Sequence, residues 1–593
     1  MRARGAGHRR RGAAGAGARG ARLRRHPRDG ARVSGGAIVE ALDREGLLCP
    51  LEGGLVRVPH LVRGRLVAPP AIGADEARAA LAAAGPGATY ARVAAREGRA
   101  GAQVLRETLV DRATMRARAD GDRVLVLPDV DAAALLYEDP GAERAALAAV
   151  PFERACALLE DVAEASAPEA PLGRRLRSLV SATSDLADVL LDAALATNAA
   201  MLRGAAVREV VDRELGVGGV AGSRFLDGWV ELDAAGFDGP TAEILTELER
   251  RGGGGGAPPA RVRPALRALP TLQIHVTAGN APVVAPASAA RILSTRSGGV
   301  VKLPSGAVLP GAALGLALAA AARAHPGAAA LAGGLSLVYW KGGDGCVEER
   351  LFEPTVFDRV VVWGAPDAVE RIGALAGAAA IRTLTFNPRY GVSLVGREAF
   401  ADARGVGGPA AAARRAAADT VIWNQRACIA SLVHYVESDE AGALRYAEAL
   451  RDALAAADAV APAAPAPAAA GWIQRLRRGA LAGARWLPVG GAGRDLRAAV
   501  VVVPGPFDLE QHPLSRLVVV RRVDRLEEAV ALCHRGVSTA GVYPEARRLA
   551  LRDALGARGV SNVLPLGGCE RAWAGMPHDG MRVLADLVDW VNA

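Results

Sequence analysis

The sequence predicts an α/β protein built on a doubly wound parallel sheet. Between about residues 272 and 386, apolar segments of strand length alternate with helical segments, which is typical of parallel sheets covered on both faces. Polar residues, among them Asn280 and Lys302, stand where these strands end. Because ligands of such sheets bind at the carboxyl ends of the strands, this placement predicts a binding site there.

The predicted elements follow one another in a regular order. After a helical stretch from Phe152 to about Glu214, the apolar runs predict strands and the Ala/Leu-rich runs predict helices. The strands are 272–276, 299–303, 335–340, 359–363, 383–386, 499–503 and 517–520, and the helices are 311–324, 367–377, 408–419, 440–457, 525–534 and Met581–Val591.

Composition limits the number of domains and the chemistry. A chain of 593 residues, 51% of them hydrophobic, is too long for one core, so two or more domains are expected. The six cysteines are scattered without a Cys-x-x-Cys pair, which favours a reducing cytoplasm and predicts no metal site. No stretch is predicted to be a transmembrane helix, because charges, Pro or Gly interrupt the apolar runs.

The positive charge is concentrated at the start of the chain. Residues 1–32 hold eleven Arg and one Asp, a net of +10, which leaves −1 for the rest of a chain with a net charge of +9. Residues 1–35 are therefore predicted to be a disordered Arg/Gly/Ala-rich tail. Two explanations of the tail stay open: weak polyanion binding, or a start codon assigned too far upstream. No nucleic-acid function is expected of the remainder.

The domain boundaries are placed where the pattern changes. An N-terminal α+β extension of unknown role is expected first, followed by a helical lead-in with the cofactor-binding domain, a domain that carries Cys428, and a closing segment. Five consecutive glycines at 252–256 and an Ala/Pro-rich stretch at 460–470 are read as flexible loops. The extension is placed at 36–150, the helical lead-in with the cofactor-binding domain at 151–385, the domain of Cys428 at 386–545 and the closing segment at 546–593.

Lysine is almost absent from the chain. Of 72 basic side chains only Lys302 and Lys341 are lysines, and the other seventy are arginines. A chain so rich in Arg should keep Lys where a compact ammonium group is needed. Lys302 ends a predicted strand, which favours a role in binding, whereas chance placement on the surface suffices for Lys341.

Cys428 is the candidate nucleophile. It follows Asn424, Gln425 and Arg426, and hydrogen-bond donors and positive charge near a thiol favour the reactive thiolate. Taken alone, a single Cys is more often a small buried side chain. His275 and His434 are the candidate bases to test, but the sequence assigns a catalytic role to neither.

No Gly-x-Gly-x-x-Gly fingerprint opens the first strand–helix unit, and no P-loop occurs. Six short motifs are found instead: His275–Pro282, Val301–Ser305, Val338–Trp340, Val362–Gly364, Asn424–Cys428 and His578–Gly580. These motifs resemble the LuxC-type acyl-CoA reductases of the aldehyde dehydrogenase superfamily, in that family's order across about 150–593. The resemblance implies an aldehyde dehydrogenase-like fold with a cofactor domain and a second α/β catalytic domain.

The resemblance also implies roles for the motif residues. Cys428 would take the acyl group from a thioester, and Asn280 would stabilise the oxyanion together with the Cys428 backbone N–H. Lys302 and Ser305 would hold the adenosine ribose or its 2′-phosphate. The Trp363-Gly364 turn would let the backbone approach the cofactor pyrophosphate.

One departure from the superfamily is informative. Its hydrolytic members carry a Glu as general base before the Cys, whereas the corresponding stretch here, 384–390, has no carboxylate. An enzyme that oxidises aldehydes needs that base to activate water, and one that reduces a thioester is better without it. The absence of this glutamate therefore favours the reduction of a thioester over the oxidation of an aldehyde.

The expected reaction is the NADPH-dependent reduction of an acyl-CoA or acyl-carrier-protein thioester to the aldehyde, by a cytoplasmic homo-oligomer. An acyl-transferase or synthetase is the implied partner. Two alternatives remain: a CoA-acylating aldehyde dehydrogenase, and a catalytically silent scaffold in a lipid or natural-product assembly.

Overall fold

The structure is a computed structural model that describes residues 35–233, 240–252, 263–352, 356–401, 408–480, 483–491, 495–509 and 512–593. The predicted tail lies outside these residues apart from Gly35, and so do glycines 253–256 of the five-glycine stretch. Within the described chain the strands form four sheets.

The N-terminal region contains one five-stranded sheet and its covering helices. In chain order its elements are α1 (Gly35–Glu45), β1 (Pro50–Leu51), β2 (Leu55–Arg57), β3 (His60–Val62), β4 (Arg65–Val67), α2 (Ala74–Ala83), β5 (Tyr90–Val93), β6 (Ala102–Asp111), β7 (Arg116–Pro128) and α3 (Pro140–Ala148). The sheet has the order β1-β2-β7-β6-β5, and β6 and β7 form a long antiparallel hairpin.

A helical segment follows, as the 3.6-residue periodicity predicts. It comprises α4 (Phe152–Ser166), α5 (Pro171–Ser181), α6 (Asp188–Ala200), α7 (Gly204–Glu214), α8 (Gly222–Asp227), the short strand β8 (Val230–Glu231) and α9 (Pro240–Arg251). The apolar faces of α4 to α8 join one large core with the sheet that comes next, so residues on both sides of position 150 share a core.

The second sheet is the predicted doubly wound one. The strand β9 (Ala265–Pro270), which belongs to another sheet, precedes it. The elements of the second sheet and its helices are then β10 (Leu272–Val276), α10 (Val284–Ser294), β11 (Gly298–Lys302), α11 (Val308–Ala324), α12 (Ala329–Gly333), β12 (Leu335–Val338), α13 (Gly345–Leu351), β13 (Arg359–Trp363), α14 (Pro366–Ala378) and β14 (Arg382–Phe386). The strand order β14-β13-β10-β11-β12-β3-β4 is parallel from β14 to β12. The order reverses between β10 and β13, which opens a crevice at their carboxyl ends.

The N-terminal region completes this sheet at one edge. Strand β3 pairs antiparallel with β12, and β4 pairs with β3. Leu61 of β3 is 1% exposed, and a Cβ placed on Gly315 of α11 would lie 3.1 Å from the Leu61 Cβ. The glycine therefore allows the helix to pack closely on the added strand.

Helix α11 is unusually apolar for a surface helix. The segment Ser305–Ala324 has a mean hydropathy of 1.7 and is long and apolar enough to cross a membrane by those criteria, although none was predicted here from the sequence. In the structure 67% of that segment is buried inside the protein, where Ala and Leu side chains pack on the second sheet.

The third sheet carries the Cys428 segment. Its elements are β15 (Tyr390–Val395), α15 (Gly408–Val421), β16 (Ser431–Glu437), α16 (Glu440–Val460), α17 (Pro467–Arg475), β17 (Arg485–Gly490), β18 (Leu496–Val503), β19 (Leu517–Val523), α18 (Leu526–Leu532), β20 (Val537–Tyr543), α19 (Glu545–Ala557) and β21 (Asn562–Pro565). The order is β17-β18-β19-β16-β15-β20-β21, parallel except for β17. The α/β fold with parallel sheets is thus confirmed.

The predicted final helix over Met581–Val591 is wrong. That segment contains only one helical turn, α20 (Val583–Asp586), followed by the strand β22 (Val588–Asn592). Strand β22 pairs antiparallel with β9, and β9 with β8, in a small three-stranded sheet. The partner strand β9 lies about 320 residues earlier in the chain, so local periodicity could not reveal the pairing.

Candidate active site

Cys428 follows an unusual turn between α15 and β16. Trp423, Asn424 and Gln425 all have left-handed backbone angles, with φ of 49°, 51° and 64°. Such angles are uncommon for residues other than glycine and are maintained only when surrounding contacts fix them. The turn reverses the chain and leaves the Cys428 side chain half-buried at the start of β16.

Hydrogen bonds from the turn's own side chains fix this conformation. The Gln425 amide donates to the backbone oxygens of Ser431 and Leu517, at 3.0 and 2.7 Å. The Asn424 amide donates to the Asp185 backbone oxygen at 3.0 Å, and its oxygen accepts a bond from the buried Arg516 guanidinium at 3.1 Å. The two polar residues before the thiol therefore hold the turn.

Asn280 lies against the Cys428 segment. Its side-chain amide donates to the backbone oxygen of Arg426 at 2.9 Å, two residues before the thiol. The Arg426 guanidinium in turn pairs with Asp185 at 2.6 Å. The loop after β10 and the turn before β16 are thus joined directly, although they belong to different sheets.

Both segments face a cavity of about 1180 Å³, here called the thiol cavity. It opens between the carboxyl ends of β10, β13 and β14 in the second sheet and the amino ends of β15, β16 and β20 in the third sheet. Its lining includes Asn280, Arg291, Trp363, Gly364, Phe386, Arg389, Tyr390, Cys428, His578 and Asp579. Four predicted site residues therefore meet in one cavity: Asn280, Trp363, Gly364 and Cys428.

The thiol of Cys428 is protonated at neutral pH. Burial raises the pKa of Cys428 to about 11, and the negative charge of Asp579 adds to the shift. The backbone N–H groups of Cys428 and Ile429 and the guanidinium of Arg389 act in the opposite direction. Arg426, which the sequence suggested as the activating cation, is paired with Asp185 instead.

An aromatic and cationic cluster forms the wall near Gly364. Trp363 stacks on Phe386 with 3.8 Å between ring centroids, and the Arg291 guanidinium lies 5.0 Å from the Trp363 ring. Burial lowers the pKa of Arg291 to about 10. Among the described residues, Arg291 Nη1 and Trp363 Nε1 are buried donors without a hydrogen-bond partner, which is costly unless a ligand accepts from them.

Lys302 and Ser305 are not among the described residues that line the thiol cavity. Lys302 Nζ lies 5.8 Å from the Tyr339 ring centroid and 5.6 Å from that of Trp340. Burial lowers its pKa to about 8. Ser305 is exposed and lines a second cavity of about 960 Å³, which shares Asn280 and Arg426 with the first.

Neither candidate base faces the thiol. His434 is buried between Tyr446, whose hydroxyl lies 2.9 Å from its Nδ1, and Thr420. His275 is buried and contacts Gln273 at 2.7 Å. Burial lowers both pKa values to about 3, so both rings are neutral packing groups at physiological pH.

Several charged residues of the cavity, among them Arg291, Arg389 and Asp579, had no role assigned from the sequence. Arg291 is a lone charge in a helix of small and apolar residues, a signal that could have been noticed. Asp579 belongs to the quoted motif His578–Gly580, and its carboxylate pairs with Arg389 at 3.5 Å. Since Asp579 is distant in sequence from Cys428, only the fold brings its charge to the thiol.

The fold has clear relatives among solved structures. An aldehyde dehydrogenase from Brucella melitensis biovar abortus superposes with a TM-score of 0.59 at 15% identity, covering 90% of this chain and 96% of that chain. Aldehyde dehydrogenase 21 from Physcomitrella patens gives 0.58 at 14% identity, with coverages of 82% and 94%. The chain therefore has the aldehyde dehydrogenase fold.

The sequence profile of the acyl-CoA reductase (LuxC) family matches residues 266–590. The chain belongs to this family. It is similar to the long-chain acyl-protein thioester reductases of Vibrio harveyi (24% identical over 326 residues, 54% of this chain and 63% of the relative) and Photorhabdus luminescens (25% over 333 residues, 55% and 65%). The matched region thus spans a little under two thirds of these relatives' length.

Proposed function

We propose that this protein reduces a long-chain acyl thioester, carried by CoA or a carrier protein, to the free aldehyde with NADPH, through an acyl group bound to Cys428. The observation that carries the proposal is the single cavity that holds Cys428, Asn280 and the Trp363-Gly364 turn together. Similarity to long-chain acyl-protein thioester reductases supports the choice of substrate.

Cys428 Sγ would attack the thioester carbonyl after losing its proton. The carbonyl carbon gains a bond to Sγ, its bond to the carrier sulfur breaks, and the carrier leaves as a thiol with one proton. One N–H of the Asn280 amide is bonded to the Arg426 oxygen, and its other N–H and the Cys428 backbone N–H would donate to the transient oxyanion. Loss of one such donor typically raises the barrier by about 3–4 kcal/mol.

The residues beside Gly364 fit a nicotinamide dinucleotide. Arg291 Nη1 and Trp363 Nε1 are buried donors that await an acceptor, and Gly364 has no side chain to keep a pyrophosphate from the backbone. When bound, the reduced cofactor supplies the hydride that converts the acyl group to the aldehyde. Breakage of the C–Sγ bond then returns Cys428 to the thiol.

The loop before β15 supports reduction over hydrolysis. Asn387, Pro388, Arg389 and Tyr390 line the cavity where hydrolytic relatives of the superfamily carry their glutamate. Two carboxylates line the cavity, Asp508 and Asp579, and Asp579 is paired with Arg389 at 3.5 Å. A paired carboxylate is a poor activator of water, which favours reduction of the acyl group on Cys428 over its hydrolysis.

Acyl transfer to the protein tests the proposal. Incubation with a long-chain acyl-CoA, without NADPH, should add one acyl mass to the wild type and to the control Cys346→Ala, which lacks an exposed thiol. Cys428→Ala should carry no acyl group and should form no aldehyde when NADPH is added. Full aldehyde formation by Cys428→Ala would refute the mechanism.

A further inference from the structure

The hairpin of β6 and β7 lies outside the residues that the family profile matches, and its tip, residues 112–115, ends beside the second cavity. The tip is an ordered turn, because the Asp111 carboxylate accepts hydrogen bonds from the N–H groups of Ala113 and Thr114 at 2.8 and 3.1 Å. Met115 of the tip is 3% exposed and lines the second cavity. The tip is therefore packed against the rest of the protein instead of extending into solvent.

The hairpin binds the segment 182–188, which connects α5 to the start of α6. The Val110 N–H donates to the Ala182 backbone oxygen at 2.9 Å. The guanidinium of Arg123, which is 5% exposed, donates to Thr183 Oγ1 at 3.1 Å. Both strands of the hairpin thus hold the beginning of this segment.

Arg112 at the tip makes three further contacts with the same segment. Its guanidinium donates to the backbone oxygens of Ser184 and Leu186, at 2.6 and 2.9 Å, and pairs with the Asp188 carboxylate at 2.7 Å. A guanidinium presents its donors in a fixed planar arrangement, so it can hold several acceptors at once. Arg112 therefore fixes the chain on both sides of Asp185.

Asp185 in turn holds two residues of the turn before the thiol. Its backbone oxygen accepts from the Asn424 amide at 3.0 Å, and its carboxylate pairs with Arg426 at 2.6 Å. Asn424 is one of the three residues with left-handed backbone angles. Because such angles are maintained only by surrounding contacts, the turn depends on the position of Asp185.

Leu186 supports the Cys428 segment from its apolar side. It is 2% exposed and belongs to a small apolar cluster, against which both chain neighbours of Cys428, Ala427 and Ile429, pack. One member of the cluster, Ala281, directly follows the proposed side-chain donor to the oxyanion. The segment that Arg112 fixes therefore supports the nucleophile and the loop that carries the donor.

A second contact of the tip reaches the turn from the other side. Arg497 donates to the Thr114 backbone oxygen at 2.8 Å and to the Ala463 backbone oxygen at 3.3 Å. Two residues before Ala463, a backbone oxygen accepts from the Arg516 guanidinium at 2.6 Å, and Arg516 donates to Asn424 Oδ1 at 3.1 Å. The tip is thus connected to Asn424 through two separate segments.

We propose that the hairpin of β6 and β7 positions the Cys428 thiol for acyl transfer, and that Arg112 is the positioning residue. The inference rests on the proposed function and gives the region before the family match a part in it. No described residue of the hairpin lines the thiol cavity, so Arg112 acts through the segment 184–188 and not by contact with the acyl group.

Two reactions of Cys428, measured on the full-length protein, test this inference because they should change in opposite directions. In Arg112→Ala, acyl transfer from a long-chain acyl-CoA should be about tenfold to a hundredfold slower, since a displacement of about 1 Å is sufficient for such a loss. Alkylation by iodoacetamide should be about tenfold faster, because exposure to water lowers the pKa of the thiol and one pKa unit raises the thiolate fraction about tenfold. Arg112→Lys, which retains a cationic donor, should give intermediate rates in both reactions.

Arg99→Ala is the matched control in the same region. The Arg99 side chain pairs with Glu76 and is 25% exposed, against 28% for Arg112. Arg99→Ala should leave both rates at Cys428 unchanged. Three buried thiols report on the whole fold in the same samples, and their alkylation should remain slow in every variant: Cys156, Cys533 and Cys569.

Unchanged rates at Cys428 in Arg112→Ala would overturn the inference. Faster alkylation of the three buried thiols together with Cys428 would also overturn it, because Arg112 would then stabilise the whole fold and not the turn before the thiol. If the wild type accepts no acyl group, the proposed function fails. Faster alkylation of Cys428 alone in Arg112→Ala would still support the positioning of the thiol by the hairpin.

Discussion

Two charged side chains act in opposite directions on the thiol of Cys428. Asp579 raises its pKa and Arg389 lowers it, while the two pair with each other at 3.5 Å. Burial remains the largest cause of the value of about 11. The reactivity of the thiol therefore depends on which charge a bound ligand screens.

Replacing Asp579 should make the thiol more reactive. In Asp579→Asn the carboxylate charge is absent, so the pKa of Cys428 falls and a larger fraction of thiolate is present at pH 8. We expect iodoacetamide to label Cys428 about threefold to tenfold faster, because one pKa unit changes the thiolate fraction tenfold below the pKa. Peptide-resolved mass spectrometry measures the rate and separates Cys428 from the other thiols.

Arg389→Ala should show the opposite sign, since it removes the cation that favours the thiolate. Asp553→Asn, a fully exposed carboxylate on α19, is the matched control and should leave the rate unchanged. Slower labelling in Asp579→Asn would mean that the carboxylate stabilises the thiolate, contrary to the charges in the cavity.

At the scale of elements, one ion pair separates two cavities. Asn280 and Arg426 line both the thiol cavity and the second cavity, and Arg426 is held by Asp185. The two side chains are 35% and 38% exposed, so the pair contributes at most about 1 kcal/mol to stability. Breaking this ion pair should therefore lower the free energy of unfolding only slightly.

Breaking the ion pair between Arg426 and Asp185 should allow longer acyl chains to react. In Asp185→Ala the Arg426 side chain loses its partner, and the second cavity becomes continuous with the first. We expect the kcat/KM for long-chain acyl-CoA to rise relative to that for medium-chain acyl-CoA, with little change in the free energy of unfolding. Arg177→Ala, which breaks an ion pair of similar exposure on α5, should leave that ratio unchanged. An unchanged ratio in Asp185→Ala would show that the acyl chain does not enter the second cavity.

Local sequence patterns predicted the limits of most helices and strands to within a few residues. Strands such as β10 and β13 are apolar runs bounded by breakers, so their predicted limits match the structure. Strand β22 was missed because its stabilising partner β9 is remote in sequence. For the same reason Arg291 and Asp579 had no predicted role, since their importance depends on which elements the fold brings together.

At the scale of the whole molecule, the N-terminal region holds the chain beside Lys302. The Tyr339 backbone N–H donates to His60 Nε2 at 3.1 Å, and its oxygen accepts from the Gln103 amide at 2.7 Å. Tyr339 faces Lys302, so residues of β3 and β6 hold the backbone next to this lysine. No role was predicted for 36–150, because these contacts span more than 230 residues.

Five histidines, four of them buried and His578 half-buried, should make the fold acid-sensitive. Burial lowers the pKa of each to about 3, whereas the unfolded chain titrates near 6.5, so only the unfolded state takes up protons as the pH falls below 6.5. Each histidine then reduces the free energy of unfolding by up to about 1.4 kcal/mol per pH unit. They are His60, His275, His434, His512 and His578.

Thermal unfolding between pH 8 and pH 5 measures this dependence. The Tm should be nearly constant above pH 7 and should fall steeply below 6.5, since these five histidines are largely uncharged in both states at the higher pH. Carboxylates whose pKa is raised in the fold, such as Asp419 and Glu214, take up protons first in the native state. They therefore offset part of the loss of unfolding free energy at the acidic end.

His434→Gln should make the Tm depend less steeply on pH, whatever its effect on the Tm at pH 8, because one group with a depressed pKa is removed. A Tm that stays constant down to pH 5 would show that the buried rings accept protons within the native fold.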